Sequence, residues 1–370
     1  MLRSLLAATI LAMLVANVAE AQVRYNSAQR MRDVDARFEN TDGWIGADGG
    51  HSCLLDKDTR LWLFSDTWVG KIRDEKRVDA TIVNNTLAIE STRGKQPPKF
   101  YVRRDEQGKP MAMFTPADGR GWFWLQDAVM VEEKLYLVLS QIERDGDGGA
   151  FGFRQIGQVL GVVDNPHDDP YQWQLRQLPM PCSIATDKRE LWFGASLRIE
   201  GKTLYVYGTD EEKSGDYRTR FLTLAKVPVE SIESFDQWQF YDGKRWVADF
   251  RKSAHLLPRM ATEYSVVHLD ELDIYAVVFN DNGLSDRIRV STSKELTGPW
   301  TPAVTVFRCP EDRWDSRNFC YGSKAHPSLA GDNELVISYF VNATELGHVA
   351  NDIRLYQPRF LRIKVDKPGN

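Results

Sequence analysis

Short apolar runs and polar turns alternate along this chain, and one figure keeps returning. It is an apolar run with a polar head, a short acidic or glycine turn, then a Leu/Ile-aromatic-apolar run. It appears as SCLLDKDTRLWLF from Ser52, DAVMVEEKLYLVL from Asp127, ASLRIEGKTLYVY from Ala195, YSVVHLDELDIYAVV from Tyr264 and HPSLAGDNELVISYF from His326. Aligned on Leu61, Leu135, Leu204, Ile274 and Leu335, the figures stand 74, 69, 70 and 61 residues apart. A further strand-like stretch follows each one, after Thr81, Arg154, Arg220, Asp286 and Arg359. Helical periodicity is absent.

Repeats of this length built from short β-runs predict propeller blades of about four strands. The expected fold is therefore all-β, a five-bladed β-propeller. A β-sandwich could supply as many strands, but would not explain why one hairpin recurs. Ring closure needs strands from both termini, and residues 22–44 are placed to pair with the last blade. Residues 22–366 are expected to form a single domain, with 367–370 as a tail.

The first residues add a destination. Arg3 supplies the positive start, Leu5 to Val15 is apolar, and Ala19-Glu20-Ala21 is a small-x-small cleavage site, so residues 1–21 read as a signal peptide. The apolar stretch is too short to span a bilayer. A periplasmic or extracellular protein with no membrane span after signal removal is expected, and a monomer. A net charge of −5 with no basic stripe excludes nucleic acid as an expected partner. Four cysteines in an exported chain allow three pairings. Cys309 and Cys320, flanking a polar loop, are the expected disulfide; Cys53 and Cys182 suit buried thiols as well as a long-range bridge. CxxC and HExxH patterns are absent, so structural zinc is not indicated. No metal ligand set and no cofactor is expected, with an axial cation left open by the oxygen-rich residues there. The run Arg144 to Gly149 resembles the start of a calcium loop but lacks the downstream Glu, which leaves a surface turn.

Candidate chemistry begins with Asp48 and Asp66, in GADGGHSCLLDKDTRLWLFSDTW. Strand, turn and strand return the second acid beside the first, on one edge of a sheet. Two converging carboxyl groups are the minimum equipment for glycosidic-bond hydrolysis, although aspartates beside Gly or Thr also cap turns. In a propeller the starting ends of the innermost strands crowd around the axis. Asp127, Glu263, Lys324 and His326 would join the pair there as substrate-binding residues. Crowded carboxylates raise one another's proton affinity, and Lys324 would oppose that, so one acid can be held protonated beside an ionised one. Aromatic residues interleave with these positions: Trp44, Trp68, Trp122, Trp124, Trp192, Tyr264 and Tyr321. Of these, Trp68 and Tyr264 are the expected sugar-stacking rings.

The stretch Gly43 to Gly70 with NNTLAI (Asn84 to Ile89) resembles the opening blade of a secreted bacterial family of formerly unknown function, whose relatives include five-bladed endo-D-arabinanases. EYSVV from Glu263 and YGSKAHPSL from Tyr321 resemble its fourth and fifth blades. VSTSKELTGPW from Val290 is similar to the blade-closing turn of the arabinanase and fructosidase propellers. The resemblance implies that Asp48 and Asp66 are the catalytic acids, with Ser65 standing where relatives commonly carry Gly. The third blade offers Gly194 and Ser196 but no acid, which departs from the three-carboxylate layout of those propellers.

The expectation is an exported glycoside hydrolase cleaving a polysaccharide or oligosaccharide, arabinan-like or otherwise. Asp48 would serve as base or nucleophile and Asp66 as acid, with the roles exchangeable. Inversion is favoured because no third acid is evident for covalent turnover. The alternative is a non-catalytic carbohydrate-binding β-propeller that uses both aspartates only to hold sugar hydroxyls.

Overall fold

The structure, a computed structural model, describes residues 23–94, 96–146, 151–214 and 217–367. The signal peptide expected over 1–21, the end of the Arg144–Gly149 turn and nearly all of the tail lie outside the described residues. The chain is all-β; among the described residues its α-helices are the short Arg32–Asp35 and Leu346–Asn351.

Four of the recurring figures are antiparallel hairpins. In the fifth, the stretch after His326 is a short 3-10 turn, and the arm that pairs with Glu334–Ala343 is the preceding Asn318–Ala325. Five sheets follow one another in chain order. Sheet one joins His51–Asp56, Thr59–Phe64, Thr86–Ser91 and Lys99–Tyr101. Sheet two runs from Trp122–Val131 through Lys134–Arg144 and Phe153–Val163 to Leu175–Pro179. Sheet three is centred on Arg189–Glu200, Thr203–Ser214 and Tyr217–Pro228, and sheet four on Tyr264–Leu269, Ile274–Asn280 and Arg287–Ser293. Sheet five holds Asn318–Ala325, Glu334–Ala343 and Arg359–Asp366. The hairpin turns show why acids and glycine recur in them. Glu132, Gly201, Asp273 and Asn333 all take positive φ, between 50° and 58°, which short polar residues and glycine tolerate.

Apolar faces of successive sheets pack on one another. Leu61 and Leu87 of sheet one meet Phe123 and Leu137 of sheet two. Val138 and Leu160 meet Phe193 and Val206 of sheet three. Tyr207 and Leu222 meet Val266 and Val277 of sheet four. Val278 and Val290 meet Ile337 and Leu361 of sheet five. The series returns to its origin, because Val336 and Phe360 of sheet five pack on Trp62 and Phe64 of sheet one.

Side chains also latch each sheet to the next by accepting backbone N–H groups. Ser65 Oγ accepts from Leu125 at 3.2 Å, Asp127 Oδ2 from Leu197 at 2.7 Å, Ser196 Oγ from Val266 at 3.0 Å and Ser265 Oγ from Ala325 at 3.1 Å. Between sheets five and one, His326 Nδ1 lies 2.7 Å from Ser52 Oγ. Several latches sit at bulges of the inner strands, where the register shifts between Leu125 and Asp127 and between Phe193 and Ser196.

The first of the described residues complete the last sheet. Arg24–Tyr25 and Gln29–Arg30 pair antiparallel with Arg359–Asp366, and Phe38 is fully buried against Trp62, Phe64 and Phe360. All four cysteines are free thiols. The expected Cys309–Cys320 bridge is thus not formed, although both residues are buried in the same part of the core.

Candidate active site

Asp48 and Asp66 occupy the two crossings between sheet one and a smaller sheet of Asp42–Ala47, Thr67–Arg73 and Lys76–Val83. The chain leaves Ala47, turns through Asp48, Gly49 and Gly50, and enters sheet one at His51. It returns through Ser65 and Asp66. Both glycines take positive φ, and a Cβ on Gly50 would lie 2.5 Å from the Phe340 ring. The crossings are bonded to one another: Asp48 N–H donates to the Asp66 carbonyl at 3.1 Å, and Ser65 N–H to the Asp48 carbonyl at 3.0 Å. The two acids are therefore held side by side, each half-buried.

Their surroundings differ. Asp66 Oδ1 accepts from Asn84 Nδ2 at 3.0 Å and from the Trp124 indole N–H at 2.8 Å. Asp48 Oδ2 accepts from the Tyr321 hydroxyl at 2.6 Å, and the Tyr356 hydroxyl also favours the ionised carboxyl. Asp48 Oδ1 is buried without a hydrogen-bond partner among the described residues. Burial, then the charges of Asp66 and Glu263, hold the Asp48 carboxyl well above the usual carboxylate range, against those two hydroxyls. Burial raises Asp66 as well, but its two N–H donors and the charge of Arg144 pull the other way.

Two neighbouring sheets supply the rest. Glu263, half-buried ahead of the inner strand of sheet four, is raised by burial and lowered by Lys324. Lys324 is completely buried, and its ammonium has no hydrogen-bond partner among the described residues. Burial brings it down to about 8, against the charges of Glu263 and Asp127. A bulge between Tyr321 and Lys324 brings this stretch to the site. Its Gly322 has φ +66°, and a Cβ there would lie 3.5 Å from Glu263 Oε2 and 3.3 Å from Phe340. Tyr356 also has positive φ, 60°, in a loop whose carbonyls at Asp352 and Leu355 accept from the buried Arg77 guanidinium.

Four expected site residues take other roles. Tyr264 is fully buried between sheets three and four and donates its hydroxyl to the Gly208 carbonyl at 2.7 Å. Trp68 lies in the core that includes Ile45 and Tyr356, with Arg77 over its ring. His326 is fully buried, held between Ser52 and Ser338 hydroxyls and packed on Trp62. Burial and the nearby His51, Arg60 and Lys324 push its pKa well below the ordinary value, so it stays neutral. Asp127 is an inter-sheet latch whose other oxygen caps Ala128 N–H at 2.8 Å.

Trp124 and Tyr321 are the aromatic residues that touch the acids, and both stood among the interleaved rings of the sequence. Asn84 falls within the NNTLAI stretch. Tyr356 had no signal, because it follows a short helix outside every repeat. Glu263 supplies a third carboxyl group whose charge acts on Asp48.

An all-β chain of consecutive hairpin sheets with a cluster of carboxyl groups at one end is thereby defined. It belongs to the family described as a domain of unknown function, DUF5005, whose profile matches residues 32–365. Comparison with curated protein sequences gives no match. Among solved structures, a provisionally described hydrolase from Bacteroides ovatus shares the fold, at 17% identity and a TM-score of 0.71, over 93% of this chain and 94% of that one. An endo-arabinase from Bacteroides thetaiotaomicron is a looser likeness, at 13% identity and a TM-score of 0.49, over 87% of this chain and 96% of that one.

Proposed function

We propose that this chain is an exported glycoside hydrolase, built as a five-bladed β-propeller, that cleaves a polysaccharide or oligosaccharide with Asp48 and Asp66. The succession of five hairpin sheets, with core and latches between each pair including the last and first, supports the propeller reading. One observation carries the chemistry: two carboxyl groups cross-bonded through their backbones meet unequal hydrogen-bonding surroundings.

Two N–H donors can only stabilise Asp66 as an acceptor, which suits the ionised form. A hydroxyl such as Tyr321's can donate to an ionised Asp48 or accept from a protonated one. With Asp66 and Glu263 both pressing on it, Asp48 is the acid that keeps its proton. This reverses the roles first expected. Asp48 protonates the glycosidic oxygen as the C–O bond breaks, and Asp66 takes a proton from the water that adds to the anomeric carbon. Glu263 lies beside Asp48 to receive sugar hydroxyls.

The test is a pair of substitutions, Asp48→Asn and Asp66→Asn, assayed for reducing ends on arabinans, fructans and plant or bacterial wall glycans. Loss of acid or base is expected to lower the rate by roughly 10²–10⁴-fold. Release at the parental rate by both variants would end the assignment.

A further inference from the structure

Resting on the hydrolase reading, we infer that Lys324 is a positioning residue of the reaction: its buried ammonium keeps Glu263 a carboxylate, and that carboxylate keeps the proton on Asp48. The Lys324 side chain has no exposed surface, and its Nζ has no hydrogen-bond partner among the described residues. A charge so placed is retained only where opposite charge stands near it. The backbone fixes its position. Ser323 N–H donates to Asn280 Oδ1 at 2.9 Å and Ala325 N–H to Ser265 Oγ at 3.1 Å, so the residues on both sides of Lys324 are tied to sheet four.

The ammonium interacts with His51 of sheet one, Asp127 of sheet two, Glu263 ahead of sheet four, and His326 on its own segment. Three of these cannot answer its charge. Both histidines are held neutral by burial, His51 being brought down to about 4. Asp127 gives one oxygen to Leu197 N–H and the other to Ala128 N–H. Glu263 makes no hydrogen bond among the described residues, and a Cβ on Gly322, two residues before Lys324, would lie 3.5 Å from its Oε2. Glu263 is therefore the carboxylate left to Lys324.

The sign of the effect on Asp48 follows. Asp48 meets the charges of Asp66 and Glu263 and the hydroxyls of Tyr321 and Tyr356. A cation directly beside a carboxyl weakens its hold on a proton; one that acts by ionising a second carboxyl nearby strengthens it. Lys324 stands in the second arrangement, and with Glu263 ionised the proton needed at the glycosidic oxygen stays on Asp48.

The experiment removes the charge while keeping the volume, as Lys324→Met, a replacement that buried charged sites commonly tolerate. In carbon-13 titrations of the full chain, Glu263 should move up and Asp48 down, each by roughly one pH unit. Glu263→Gln should move Asp48 down alike, and adding Lys324→Met to it should move Asp48 no further down. The alkaline limb of the hydrolysis profile should follow Asp48 to lower pH, with melting close to parental. An Asp48 titration that rises in Lys324→Met, or falls again in the double variant, would overturn the relay while leaving hydrolysis by the parent intact. If Lys324→Met does not fold, Glu263→Gln decides: an unmoved Asp48 overturns the relay. An unshifted hydrolysis profile in Lys324→Met would end the positioning role. No reducing ends from the parent on arabinan, fructan or wall glycans would remove the hydrolase reading, and that role with it.

Discussion

The Tyr321 hydroxyl stands 2.6 Å from Asp48 Oδ2, a contact that joins the first sheet to the fifth across residues 273 apart in the chain. It couples the proton of the candidate acid to the bulge that carries Tyr321, Gly322 and Lys324.

Replacing Tyr321 by Phe removes a donor that favours ionised Asp48. The Asp48 titration should then move further up, by roughly one pH unit, if the lost bond contributes about 1.5 kcal/mol. Carbon-13 NMR of the carboxyl groups reads this directly and needs no substrate. A titration that stays put or moves down would refute the coupling.

Stability should fall with rising pH on account of Asp48. Its folded carboxyl holds a proton to higher pH than in the unfolded chain, where aspartate titrates near about 3.9. Above that value the folded state binds more protons, so stability declines until Asp48 is ionised in both states and is level thereafter. Asp48→Asn removes the slope. Its melting temperature should exceed the parent's at about pH 7 and match it at about pH 3, below the unfolded titration.

Asp127 separates a latch from a ligand contact. Asp127→Asn keeps one acceptor oxygen, enough for Leu197 N–H but not also for Ala128 N–H, and should lose less stability than Asp127→Ala. Asp127→Ala strands both N–H groups and should cost about 1–3 kcal/mol in chemical denaturation. Equal stability of the two variants would mean that the latch contributes nothing.

Gly322→Ala meets two obstacles at once, a left-handed backbone and a Cβ pressed 3.3 Å from the Phe340 ring. The backbone alone costs about 1–2 kcal/mol. Chemical denaturation should show the variant destabilised by at least that much, and a parental midpoint would mean that the bulge relaxes to accept the side chain.

The hairpins were legible because their period and turn chemistry agree, and the Leu61, Leu135, Leu204, Ile274 and Leu335 positions all fall at or near the start of a second strand. The closeness of Asp48 and Asp66 was also legible, though not the crossing between two sheets that produces it. The aromatic partners were not. Alternation places Trp68 and Trp124 alike on strands, and only the packing of Arg77 over Trp68 sends that ring into the core. Asp127 misled for a related reason: the bulge beside it turns its carboxyl toward the next sheet's backbone. Tyr356 depends on a loop set by Arg77, a contact between remote segments that no local pattern encodes.

Because Arg24–Tyr25 and Gln29–Arg30 pair with Arg359–Asp366 across more than 330 residues, the last sheet cannot be completed until both segments are available. Pairing at such sequence separation forms late, since its loop-closure cost is met only once the intervening sheets have folded.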